Sequence, residues 1–252
     1  MKKLYSSVWP LLLAASWLMP CQLHASDADY LQGLKALESN DYSTALHYLE
    51  LAVAGDPDNL RYGSDYRQAI IRSKEFDRAL KFFEQTLLQH PRSANLHLNY
   101  GFAYVDKIPI AGSITQVILA NDALTEFGKA LELQPSWIAY YTRGTSYLFW
   151  PKIFKRAALG VADLQRAMEI QKSGKRHSYQ VKAFIALGDG HWKTDDLEKA
   201  RAVWAEGLKE FPTSAALKQR LALKGDELKN LIEAQFDPGT RVNTDLRDLW
   251  AD

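Results

Sequence analysis

The stretch NDYSTALHYLELAVAGDP, residues 40–57, decides the fold, because the chain repeats its pattern. KEFDRALKFFEQTLLQHP follows at residues 74–91 and DDLEKARAVWAEGLKEFP at residues 195–212, each with an Ala at the sixth place and a closing Pro. Ala45 and Ala79 lie 34 residues apart, as do Pro57 and Pro91. A fixed period of this length indicates an array of repeated structural units rather than a single irregular core.

A second motif, x-Gly-x-x-aromatic, recurs ahead of such stretches. It occurs as YGFAY at residues 100–104, RGTSY at 143–147 and LGDGH at 187–191. Apolar residues in both motifs are spaced by three and four, which is the pattern of amphipathic helices. The glycines allow two helices to approach closely, and each closing Pro ends the second helix. The two motifs together predict a helix–turn–helix unit that must stack on its neighbours to bury its apolar face.

These motifs resemble the tetratricopeptide-repeat (TPR) family, in a form typical of exported bacterial proteins. The resemblance implies an all-α fold, a TPR superhelical solenoid of about five helix–turn–helix repeats plus a degenerate C-terminal capping repeat. The predicted boundaries are a signal peptide at 1–25, a solenoid at 26–235 and a C-terminal tail at 236–252. Within the solenoid we place the repeats near 26–59, 60–93, 94–136, 137–179 and 180–214, and the cap at 215–235.

Three positions depart from the family pattern. Repeat 3 carries about ten extra residues between Val105 and Asn121, and repeat 4 about four around residues 150–156. We predict that both insertions lengthen the second helix of their repeat and lie side by side. Either they bury each other, or they form a docking edge, the insertion edge, of Ile108, Ile110, Ile114, Trp150 and Phe154. In repeat 2, Arg67 replaces the usual small residue, so its helices must splay or Arg67 must reach outward to solvent.

The N-terminus predicts export. Lys2 and Lys3 precede an apolar run at residues 8–19 that is too short to span a bilayer, and Ala25 is a suitable cleavage position. We expect a secreted protein, located in the periplasm, with no integral membrane segment after cleavage. The alternative is an outer-membrane lipoprotein tethered through Cys21, although Pro20 stands where such processing sites normally carry a small residue.

The composition argues against several classes of function. Lys plus Arg total 31 and Asp plus Glu total 30, so the net charge is +1 and no charge excess favours nucleic acid. No two histidines after the predicted signal peptide are three or four residues apart, which is the spacing of a metal-binding pair on a helix, and no motif of a catalytic nucleophile occurs. We therefore predict no metal, no cofactor and no enzyme activity. An enzyme or small-ligand binder remains the less favoured alternative and would require a pocket between the insertions.

The resemblance also implies a binding groove, because the first helix of each TPR unit lines the concave face. The family register places Arg61, Gln68, Arg72, Leu98, Phe102, Tyr141, Leu148, Lys182 and Trp192 there. Aromatic residues and Arg dominate binding hot spots, so we expect this groove to hold a protein or peptide partner. The carboxylate clamp known in the family is not reproduced, because its lysines are missing.

The tail and the quaternary state leave alternatives open. Residues 236–252 either fray, or fold back or grip a partner through Leu246, Leu249 and Trp250. The sequence supports an exported scaffold or assembly factor and does not define its partner or its oligomeric state.

Overall fold

A computed structural model describes residues 25–237, 239–240 and 242–251 of the 252-residue chain. Within them the secondary structure is helical, with α-helices arranged in consecutive antiparallel pairs. The helices are α1 (Ala25–Glu38), α2 (Tyr42–Gly55), α3 (Leu60–Ser73), α4 (Phe76–Gln89), α5 (Ala94–Lys107), α6 (Ser113–Leu133), α7 (Trp137–Leu148), α8 (Ala157–Lys172), α9 (Val181–Lys193), α10 (Leu197–Glu210), α11 (Ala215–Ala222) and α12 (Gly225–Gln235). Short 3₁₀ helices lie at Ile108–Ile110, Lys152–Phe154, Ser178–Gln180 and Arg247–Trp250.

The helix ends follow from local sequence. Ser, Asp or Asn side chains accept a hydrogen bond from a backbone N–H in the first turn of several helices, which satisfies a donor that the helix leaves unpaired. These caps are Asp41, Asn59, Ser93, Ser136, Asp196 and Ser214. At the other end, α2, α4 and α10 each stop two residues before the repeating Pro.

Glycines set the spacing inside the pairs. A Cβ on Gly101 of α5 would lie 2.4 Å from the Phe127 ring of α6, and one on Gly188 of α9 would lie 2.1 Å from the Trp204 indole of α10. Both rings are fully buried. The absence of a side chain at these positions therefore allows a large aromatic residue of the second helix to pack against the backbone of the first.

The pairs stack in chain order, and each helix packs on its neighbours in the sequence. One core joins repeats 1–3 around Tyr66 and Phe83, and another joins repeats 4 and 5 to the cap around Phe184 and Trp204. A third, smaller core around Phe127 lies between repeats 3 and 4. This serial arrangement is the solenoid that the repeats predict.

The two insertions differ from each other. In repeat 3 the second helix, α6, is lengthened to 21 residues and begins just after Gly112, as predicted. In repeat 4 the prediction of a lengthened helix is wrong, because Lys155 adopts a left-handed backbone (φ 52°) that separates the 3₁₀ turn Lys152–Phe154 from α8. The second insertion is therefore a short projecting loop.

The predicted signal peptide, including Cys21, lies outside the described residues apart from Ala25, where α1 begins. Ser26 is buried and lies against Gly55 of α2. No helix in the described ranges combines the length and the apolar character needed to cross a bilayer.

Candidate functional site

The C-terminal tail lies in the groove that the first helices of the repeats form. Residues 242–246 run without regular structure and lead into the 3₁₀ turn Arg247–Trp250. Leu246 is buried in the small central core with Leu98 and Phe102 of α5, and Leu249 and Trp250 pack at its border. Of the alternatives left open by the sequence, the structure therefore has the tail folded back on the solenoid.

A buried polar cluster anchors the tail. The Arg67 guanidinium, which has no solvent exposure, donates from Nε to Asn99 Oδ1 (3.1 Å), from Nη1 to Asp106 Oδ2 (3.0 Å) and from Nη2 to the Thr244 carbonyl (3.2 Å). The Thr244 hydroxyl donates to the second oxygen of Asp106. The guanidinium also lies 4.6 Å from the centre of the Phe102 ring. Burial lowers the pKa of Arg67, and the neighbouring Asp106 carboxylate opposes that shift.

This cluster decides between the two expectations for repeat 2. The helices α3 and α4 are splayed, since they contact each other far less than the two helices of repeats 1, 3, 4 and 5 do. Arg67 does not reach solvent, because α5 supplies an acid and an amide at the position where its head group ends. A buried arginine is tolerated only where its donors are paired. The position that breaks the repeat pattern is therefore the position that holds the tail.

Two weaker contacts hold the end of the tail. The Arg61 guanidinium lies 5.8 Å from the centre of the Trp250 ring, within the range of a cation–π interaction. Lys182 of α9 forms an ion pair with Asp248. Both pairs are substantially exposed, so each contributes little to stability compared with the buried cluster.

An apolar cavity of about 790 Å³ opens beside the tail. Helices α5, α6, α7, α9 and α11, the second insertion and the tail itself all contribute to its wall. Its lining is mainly aliphatic and aromatic, with Phe102, Val117, Tyr141, Phe149, Phe154 and Phe236 among the larger side chains. Concave sites of this size and character bind ligands or partner side chains.

The polar groups of the cavity are mostly paired with one another. Asp189 of α9 and Arg220 of α11 form a buried bidentate ion pair with N–O distances of 2.6 and 2.7 Å. Burial raises the pKa of Asp189, while the Arg220 guanidinium opposes the rise. Burial, assisted by Asp189, also raises the pKa of Tyr141 to about 12, so this phenol is neutral at physiological pH. The cavity therefore presents an apolar surface with little unbalanced charge.

The comparisons with known proteins agree with this architecture. A tetratricopeptide-repeat family model matches residues 36–99, which contain the second helix of the first pair, the whole second pair and the start of α5. Residues 36–99 therefore belong to the TPR family. A search of the curated proteins finds no significant match to it.

Solved structures share its solenoid. A thermophilic TPR protein from Thermus thermophilus is 18% identical, with a TM-score of 0.55 over 79% of this chain and 97% of that one. A tetratricopeptide repeat protein from Parabacteroides merdae is 15% identical, with a TM-score of 0.56 over 84% and 76%. MamA from Desulfovibrio magneticus is 16% identical, with a TM-score of 0.52 over 77% and 98%. At these identities the likeness concerns the fold alone.

The predicted groove residues do not form one surface. Phe102, Tyr141 and Lys182 line the cavity, and Arg61 lies at the end of the tail. Leu98 and Leu148 are both fully buried. Leu98 packs in the central core against Leu246 of the tail, which lies in the groove. Leu148 lies in the core of repeats 4 and 5, so its assignment to an open groove is corrected.

The other three predicted groove positions are separate from the cavity lining. Trp192 packs at the border of the C-terminal core, with Lys152 Nζ 5.2 Å from its ring centre. Gln68 is partly exposed and Arg72 is exposed on α3. Within the described residues, Gln68 Nε2 is buried without a hydrogen-bond partner.

The predicted insertion edge is largely exposed. Ile110, Ile114 and Phe154 are exposed and Ile108 is partly exposed. Trp150 is corrected, since it is buried under Phe154 and the Arg156 guanidinium, which lies 3.7 Å from its ring centre. Ile108, Trp150 and Phe154 also line the cavity, so edge and cavity are continuous.

No chemical centre is evident in the described part of the chain. Within it no three His, Cys, Asp or Glu residues are grouped so that they could hold a metal ion. Its buried ion pairs, Arg67–Asp106 and Arg220–Asp189, join helices of different units and are saturated by structural partners.

Sequence reasoning did not connect Arg67, Asp106 and Thr244 or assign them the role of holding the tail. One signal was available. Arg67 violated the repeat pattern, and Asp106 occurs 39 residues later in the next first helix, just over one turn beyond the comparable position, Gly101. An out-of-pattern charge in one repeat indicates an opposite charge in the next, because a buried cation requires a partner.

Proposed function

We propose that this chain is an exported scaffold or assembly factor that binds an apolar segment of a partner protein between the groove cavity and the insertion edge. The observation that carries the proposal is that the groove cavity and the insertion edge are continuous. An apolar cavity of about 790 Å³ opens onto a rim of exposed aliphatic and aromatic side chains. Such a combination provides anchor pockets surrounded by a contact surface, which is the arrangement of protein-binding sites.

The rim is unusual for its density of exposed apolar residues. Six large hydrophobic side chains are exposed within the two neighbouring insertions, Ile110, Ile114, Val117, Ile118, Ile153 and Phe154. The remaining exposed large hydrophobics of the described chain are distributed over other helices, the far end of α6 and the tail. Clustered apolar exposure supports an interaction surface, whereas single exposed residues do not.

Export rests on the N-terminal sequence, with its lysine pair, short apolar run and small residue at position 25. We propose a periplasmic location and an untethered mature chain. The alternative is a lipid tether on Cys21 with the same binding role. Metabolic labelling with a radioactive fatty acid separates the two, because only the tethered form incorporates label and only if Cys21 is present.

A capture experiment with matched variants tests the binding role. The tagged mature chain is compared in envelope extracts with Ile114→Ser/Ile153→Ser and with Leu88→Ser. The three positions are 81%, 84% and 80% exposed, so no variant should lose stability, and only the first alters the rim. We expect one protein to be retained by the wild type and by Leu88→Ser. The rim variant should retain it about tenfold less or worse, as expected for loss of two apolar anchors.

Two outcomes count against the proposal. Equal retention by all three proteins would show that the rim is not the contact surface. Failure of the wild type to retain any specific protein, after cross-linking through a photoreactive residue at position 154, would refute the scaffold role.

A second candidate rests on the cavity alone. Its volume and apolar lining would also accommodate a small apolar molecule, such as a lipid acyl chain. Native mass spectrometry of the chain purified from the envelope distinguishes the two. A stoichiometric bound lipid favours the small-ligand role, and an unliganded mass favours the protein partner.

A further inference from the structure

The tail contacts the groove in a regular pattern along its own sequence. Thr244 enters the polar cluster, Leu246 enters the central core two residues later, and Leu249 packs five residues after Thr244. Asp245 and Asp248 lie between these anchors, and Asp248 pairs with Lys182. Anchors at fixed offsets, separated by polar residues, are the contact pattern of a peptide bound in a groove.

Recognition at the first anchor has two parts. Arg67 Nη2 binds the Thr244 carbonyl, which every residue possesses, and Asp106 accepts from the Thr244 hydroxyl, which only Thr, Ser and Tyr possess. A solenoid that needed only to cover its last repeat would gain nothing from a hydroxyl-specific contact on repeats 2 and 3. The partners lie 177 and 138 residues away in sequence, so this contact is not a local capping device.

The groove does not depend on the tail for its own polar pairing. Without Thr244, Arg67 keeps its bonds to Asn99 and Asp106, and the atoms that Thr244 releases can bind water. The tail is also open to competition, because Val242, Asn243 and Arg247 are exposed and the cavity runs along its side. An incoming segment can therefore occupy the cavity first and then replace the tail anchors.

We propose that residues 242–251 are an intramolecular ligand, and that the partner segment has the same chemistry. It would carry a hydroxyl residue followed by large apolar residues two and five positions later, with carboxylates between them. The claim about the partner segment extends the proposed function and depends on it. The claim that the tail is an intramolecular ligand rests on the tail contacts alone. A tethered ligand has an effective concentration of the order of millimolar, so it weakens competing segments without excluding tight ones.

The test uses the full mature chain and a fluorescent synthetic peptide of residues 242–252. The tail is released by Leu246→Asp/Leu249→Asp, which places charge in the apolar anchors. Asn243→Asp is the control, because it adds a charge of the same sign at an exposed tail position and keeps the acceptor for the Asp245 N–H. Leu249→Ala/Trp250→Ala, at partly exposed positions, is a milder second release variant.

We expect the peptide to bind the released variant at least about tenfold more tightly than the wild type or Asn243→Asp, because the groove of the latter two is occupied. The affinity of the peptide for the milder variant should lie between its affinities for the wild type and for the released variant. A peptide with Thr244→Val should bind the released variant more weakly, and one with both leucines changed to Asp should not bind.

Several results would overturn the proposal. One is equal peptide affinity for the wild type and both release variants. Another is no binding to either variant while their thermal unfolding stays cooperative. A wild-type dimer that dissociates on tail release would also overturn it, since the ligand would then be the tail of a second copy.

The partner part is measured separately, by repeating the envelope capture with the released variant. Greater retention of the protein captured by the wild type supports a shared site. Unchanged retention refutes the tail as competitor and leaves the binding role of the insertion edge intact.

Discussion

Replacing Arg67 by Met should destabilise the protein strongly, because it breaks the most buried ion pair of the groove. The guanidinium makes three hydrogen bonds of 3.0–3.2 Å and is not exposed. Removing one partner of a buried pair costs about 3–5 kcal/mol, mainly because the remaining charge, here that of Asp106, stays in the interior. Met fills a similar volume beside Phe102, so the loss should not include a large cavity.

The assay is urea unfolding of the mature chain, followed by far-UV circular dichroism. With a slope of about 1–3 kcal/mol per molar urea, the expected loss lowers the midpoint by roughly 1–5 M. Arg72→Met is the matched control, because Arg72 is on the same helix and exposed, and its change in unfolding free energy should stay within about 0.5 kcal/mol.

The double variant Arg67→Met/Asp106→Leu provides the internal check. It removes the uncompensated carboxylate, so it should recover part of the stability that Arg67→Met loses. A loss below about 1 kcal/mol for Arg67→Met would refute the reasoning. A double variant that is clearly less stable than Arg67→Met would also refute the reasoning, because removing the Asp106 carboxylate should then have relieved no unpaired charge.

Two further predictions concern the core of repeat 5. Gly188→Ala should lower the free energy of unfolding by about 1–3 kcal/mol or more, measured by thermal unfolding, because its Cβ would lie 2.1 Å from Trp204. Gly128→Ala in α6 is the control and should be neutral or slightly stabilising, because no atom lies closer than 3.8 Å to the added Cβ. Equal effects of the two changes would contradict the packing argument. Burial lowers the pKa of His191 below its usual 6.5, so the stability that its neutral form contributes is present above that pH and is lost as pH falls through the lower folded pKa. His191→Gln should therefore flatten the decline in melting temperature below pH 6.5, and an unchanged pH profile would show that His191 is not responsible.

The fold was predictable because it depends on local, repeated signals. The 34-residue period, the closing Pro and the glycines opposite aromatic residues each act within one helix pair, and all recur. The long α6 was predictable for the same reason, since its apolar period continues through the insertion. The second insertion was not, because the left-handed backbone of Lys155 interrupts a segment whose composition permits a helix.

The candidate site was less predictable, because the family register gives a position on a helix and not what covers it. Leu98 and Phe102 have the expected register, yet the tail lies over them. Leu148 has the register of a groove residue but lies against Gly160 and Gly190, where small residues let the next helices close over it. Contacts between residues more than 100 positions apart leave no periodic trace in a single sequence.

The tail explains why one position can break the repeat pattern without breaking the fold. In other repeats a small residue at this position lets the two helices of a pair approach, so an arginine there keeps α3 and α4 apart and places a charge at the interface between repeats 2 and 3. The cost is offset by ligands from both sides, Asp106 in the next repeat and Thr244 in the tail. A segment that displaces the tail with its own carbonyl and hydroxyl keeps direct hydrogen bonds to Arg67 and Asp106, whereas a segment without them leaves those atoms to water. The same cluster that holds the tail therefore favours partners that imitate it over partners that offer apolar surface alone.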